Sequence, residues 1–172
     1  MSATRRIEKR TLVAFHEAGH AVIGAYFGKR VLGITMLEDA HLNASTTMTA
    51  LEPMAPRPVI EAEIEVCLAG LYAELIGFGQ HHDGHRCDLE HARSWIERVS
   101  VETRESRAEI LRRLERTVQD VLRQPVLWGA VETVADYVLR YGAIDGATLV
   151  DIMRHHTHYP VSTDFDAFRR FN

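Results

Sequence analysis

Residues 14–22 read AFHEAGHAV, and three of them, His16, Glu17 and His20, could do hydrolytic chemistry. Histidines at i and i+4 of a helix project from one face, so their rings can share one metal ion. Glu17 is turned about 100° from His16. It then stands beside the ion rather than on it, where it can take a proton from a zinc-activated water. This is the HExxH arrangement of zinc peptidases. The plainer reading is a pair of core histidines that only satisfy hydrogen bonds. It is disfavoured because the surrounding helix is almost wholly apolar, and burying His, Glu and His together is costly without a partner.

A catalytic zinc usually takes a third protein ligand. The extended HExxHxxGxxH form fails here, with Ile23 at the glycine and Tyr26 at the third histidine. By residue type alone the candidates are Glu74, His81, His82, Asp83, His85 and Asp88.

Positioning these groups is the work of a mainly helical chain. Apolar residues over 11–27 predict a central helix, capped by Thr11 and ended by Gly28. Gly19 and Gly24 lower its helix propensity, which suits a close approach by another backbone or a metal ligand. Residues 31–37 and 44–50 alternate and are rich in β-branched types, as in a short hairpin. Prolines punctuate 52–58 as a linker. Further helices are predicted at about 59–78, at 88–100 with Asp88 as its cap, at 106–124 stopped by Pro125, at 126–142, and at 146–156 with Asp145 as its cap. The polar loop QHHDGHRC joins the second helix to the third. The fold class is therefore mainly α within α+β, a helical domain with a small N-terminal hairpin or sheet. The domain is assigned to 1–158, with a tail of no clear period at 159–172.

Composition fits a globular domain. The chain has 172 residues, 46% hydrophobic and 26% charged, with a formal net charge of -4. An acidic balance argues against nucleic acid as a partner. The two cysteines, Cys67 and Cys87, form no disulfide framework, which suits a reducing cytoplasm. The first residues carry no signal-peptide pattern, and no apolar run approaches roughly 18 residues, so no membrane insertion is expected.

In this setting the chain resembles the peptidase domain of FtsH-type AAA zinc proteases. VAFHEAGHAVIG looks like that family's metal-binding helix, CLAGLYAELIGFG is similar to its LGGRAAEELVFG, and GHRCDLEHA to its GASNDLERAT. WGAVETVADYVLRYGAIDGATLVDIM resembles the family's last helices, so the likeness runs in order from about Thr11 to His155. It implies a zincin-like fold in which His16, His20 and Asp88 are zinc ligands and Glu17 is the general base. It also implies that Glu74 orients a ligand histidine.

Departures from the family pattern bear on substrate handling. No G-x-x-x-x-G-K-[ST] occurs, so no ATPase is expected. The family's PRG segment is not recognisable in MLEDAHLNASTT. Three histidines, His81, His82 and His85, crowd the loop before Asp88, where a second ion is conceivable but an exposed loop is the expectation. The implied function is an ATP-independent, zinc-dependent metalloendopeptidase acting on peptides or unfolded segments, with a homo-oligomer or a separate partner protein open. The alternative is a non-catalytic zinc-binding module that kept the fold.

Overall fold

The computed structural model describes residues 7–37 and 43–157. The order is α1 (Lys9–Tyr26), β1 (Val31–Leu37), β2 (Asn43–Met48), α2 (Arg57–Phe78), a 3-10 turn (Asp83–His85), α3 (Arg86–Thr103), α4 (Arg107–Leu122), α5 (Pro125–Tyr141), β3 (Ala143–Asp145) and α6 (Gly146–Thr157). Six helices and a three-stranded sheet give the mainly α architecture that the sequence predicts. The assigned tail lies outside the described residues, as does the β1–β2 connection at 38–42.

α1 runs through the middle of the molecule and is buried almost without a break from Leu12 to Ala25. It packs against α2, α5 and the sheet. A Cβ on Gly19 would lie 2.7 Å from the Ala73 Cβ and 2.8 Å from the Ala69 carbonyl oxygen. Glycine is therefore what lets α1 and α2 meet backbone to backbone. This contact sets the distance across which the two helices share the histidine rings. Gly24 instead faces the Met48 side chain on β2.

The sheet has the order β2-β1-β3, all antiparallel. β3 was not expected, because three residues carry no readable period. It pairs Ile144 with Ile34 in the middle of β1. β2 is left on the edge, lying over α1.

Several boundaries differ from the sequence expectation for identifiable reasons. α1 begins at Lys9 after Glu8, so Thr11 sits in the first turn rather than at the cap. Prolines open α2 and α5 instead of preceding them, since a missing N–H is harmless in a first turn. Asp88 is not a cap. The 3-10 turn feeds directly into α3, whose backbone is already helical at His85 and Arg86, and Asp88 becomes the third helical residue. Asp145 does cap α6, accepting the Thr148 N–H at 2.8 Å.

A second buried carboxyl on α2 makes a test of this packing. Glu65 on α2 is 6% exposed. Burial pushes its carboxyl up from 4.5 to about 7, with Glu61 adding and Arg113 opposing. A raised folded-state value means the neutral acid is favoured in the fold. The Glu65 contribution to stability is then fullest below pH 4.5 and is lost as pH rises through about 7. Glu65→Gln should abolish that loss, gaining ~1–3 kcal/mol at pH 8 and little at pH 4.5. Urea unfolding across this range reads it, and parallel profiles for the two proteins would refute it.

Candidate metal centre

α1 sets His16 and His20 one turn apart on the face that meets α2. Each ring is held at its Nδ1. His16 Nδ1 lies 2.7 Å from Glu74 Oε1 and His20 Nδ1 lies 2.7 Å from the Val66 carbonyl oxygen. Both partners can only accept, so each Nδ1 must carry the proton. Both Nε2 atoms are then bare in the neutral rings, and they face each other at 3.0 Å. Asp88 on α3 brings Oδ2 to 3.1 Å from the His16 Nε2 and 3.4 Å from the His20 Nε2.

Three acceptors thus converge with no donor of their own. The donor set fits a cation. Ligands of a tetrahedral zinc at about 2.0–2.1 Å stand roughly 3.3 Å apart, which matches the observed edges. A Cβ on Gly70 of α2 would come within 2.6 Å of His16 Cε1 and His20 Nε2. Only glycine leaves room for the two rings there.

Charge follows the same geometry. Burial pulls the His16 imidazole down, but the carboxylates of Asp88 and Glu74 outweigh it and raise it to about 9. Without an ion, a proton relieves the conflict among the acceptors. Burial pushes Glu74 up, yet hydrogen bonds from His16 and His82 hold it at about 2, although it is completely buried. Asp88 is likewise resisted by burial and held well below the usual carboxylate range by His16 and His20. Both carboxyls stay ionised at neutral pH.

Glu17 is buried on α1 but stands outside the triangle of acceptors. The Thr46 hydroxyl on β2 lies 2.7 Å from Glu17 Oε2 and donates to it. Glu17, Thr46, both histidines and Asp88 line one cleft between α1, β2, α2 and the segment that starts α3.

The five residues singled out by the sequence, His16, Glu17, His20, Glu74 and Asp88, therefore come together. Among the other third-ligand candidates, Asp83 is exposed, and the rings of His81 and His85 pack on each other with centroids 4.6 Å apart. The loop is not exposed throughout: His85 is half-buried, and the His82 side chain is only 12% exposed and touches Glu74. Sequence reasoning missed Thr46, the Val66 carbonyl and Gly70. Of these only Gly70 left a signal, a glycine inside a long helix.

The charge balance sets a pH dependence. Below about 9 a proton occupies His16 in the metal-free chain, and a metal must displace it. Apparent metal affinity should then fall about tenfold per pH unit as the pH drops from 8.5 to 7. Competition with a chelator of known pH behaviour measures this, and a flat profile would contradict it.

No curated protein matches the chain. The model of peptidase family M41 matches residues 3–103, which span α1 to α3 and all five of these residues. With more than half of its length matched, the chain belongs to peptidase family M41, as an FtsH-type peptidase domain with a function of the metallopeptidase kind.

Proposed function

We propose that the protein is a zinc-dependent endopeptidase that hydrolyses peptides or unfolded segments. His16, His20 and Asp88 would hold the ion and Glu17 would be the general base. The observation that carries this is the triangle of two bare Nε2 atoms and one carboxylate oxygen, with both Nδ1 atoms already engaged. Zinc bound there supplies Lewis acidity and water of lowered pKa.

The chain's own residues do the rest. Glu74 fixes the tautomer and the aim of His16, and the Val66 carbonyl does so for His20. Glu17 takes the proton of the attacking water and hands it to the leaving amine. The Thr46 hydroxyl holds its carboxylate towards the cleft. Thr46 also places this base directly under β2. An extended segment laid along that edge strand would bring its carbonyls past the site. Such a segment must be unfolded to fit, which is the reason for the substrate class.

Glu17→Gln should keep metal binding and lower peptide cleavage by about 10²–10⁴-fold. Chelation should remove cleavage from the unaltered protein, and zinc should restore it. A fluorogenic library of unstructured peptides reads both. Cleavage that survives chelation and the substitution would sink the proposal. Zinc bound without any turnover would point to the non-catalytic module instead.

A further inference from the structure

We propose that His82 is a positioning residue of the metal centre: it holds the carboxylate that holds His16. The inference rests on the zinc reading above and adds a residue to it. Glu74 is completely buried, and its oxygens are met almost wholly by two histidines. Oε1 accepts from His16 Nδ1 at 2.7 Å, and Oε2 accepts from the His82 backbone N–H at 2.8 Å. His82 Nδ1 lies 3.0 Å from both oxygens and donates a shared hydrogen bond to the pair. Its ring also packs edge-on against His16, with centroids 4.9 Å apart. One loop residue therefore grips the carboxylate by main chain and side chain together and covers it from the cleft.

The surrounding loop is arranged to keep it there. The His82 carbonyl oxygen lies 2.7 Å from His85 Nδ1 and 3.1 Å from His81 Nδ1. A Cβ on Gly84 would fall 2.1 Å from His82 Nε2, so the ring occupies the space over residue 84. His16, Glu74 and His82 also lie close enough to hold a second cation. That reading fails on proton bookkeeping. A cation there would have to strip the Nδ1 proton that makes the His16 Nε2 a ligand. The group is a hydrogen-bond chain, and its role is aim. Without the His82 ring the buried carboxylate loses a donor, turns more freely, and lets the His16 ring drift from Asp88 and His20.

Chelator competition should show zinc binding weakened in His82→Ala, by up to the about 10–100-fold that losing the direct Glu74 support would cost. His82→Asn, which offers an amide N–H in the same place, should recover most of it. Gly84→Ala displaces the ring without removing it and should weaken binding likewise. The double variant His82→Ala/Gly84→Ala should be no weaker than His82→Ala alone. In the metal-free protein the slowly exchanging His16 Nδ1 proton, seen by nitrogen-15 NMR, should persist in wild type and His82→Asn and vanish in His82→Ala. A folded His82→Ala that keeps this proton and wild-type affinity overturns the proposal alone, as does an asparagine variant that rescues neither. A wild type that binds no zinc overturns the metallopeptidase reading together with this one.

Discussion

Two imidazole nitrogens and one carboxylate oxygen, all acceptors, face one another within 3.4 Å on the wall of one cleft. That concentration of lone pairs is unfavourable unless a proton or a cation sits among them. Everything nearby serves to maintain it. Glu74 and the Val66 carbonyl accept hydrogen bonds from the two Nδ1–H groups, and so neither ring can turn round to relieve the conflict by donating inward.

The helices supply the rigidity that this needs. α1 is buried along nearly its whole length and is fixed against α2 by the Gly19 contact. Gly70 removes the side chain that would otherwise fill the ring space. Small residues are placed where helices must touch, and the polar residues are then held by packing rather than by local preference. The 3-10 turn running into α3 delivers Asp88 from inside the first turn. There its carboxylate also suits the positive end of the helix.

β2 and the histidine loop both line the site. β2 brings Thr46 to Glu17, and the loop brings His82 to Glu74. Glu17 is thus held from a strand 29 residues away in sequence, and Glu74 from the loop that follows its own helix. The two carboxylates differ in setting: Glu74 is sealed in between His16 and His82, while Glu17 lines the cleft.

The sequence by itself determined the helix that carries His16, Glu17 and His20, because periodicity and the i, i+4 spacing are local properties. It also determined the mainly α class, most helix positions and the Asp145 cap. A resemblance in three ordered segments, rather than any local rule, picked Asp88 and Glu74 from six candidates. Only the tertiary structure decided the rest. Whether Asp88 caps a helix or aims from within it depends on the turn before it. β3 exists only because β1 offers an edge. Thr46 and the Val66 carbonyl carry no pattern, and His82 stood out only as one of three loop histidines, since these roles depend on which atoms lie opposite them. Hydrogen-bond partners 8 to 58 residues apart are set by how helices and strands pack, and packing is a property of the whole chain.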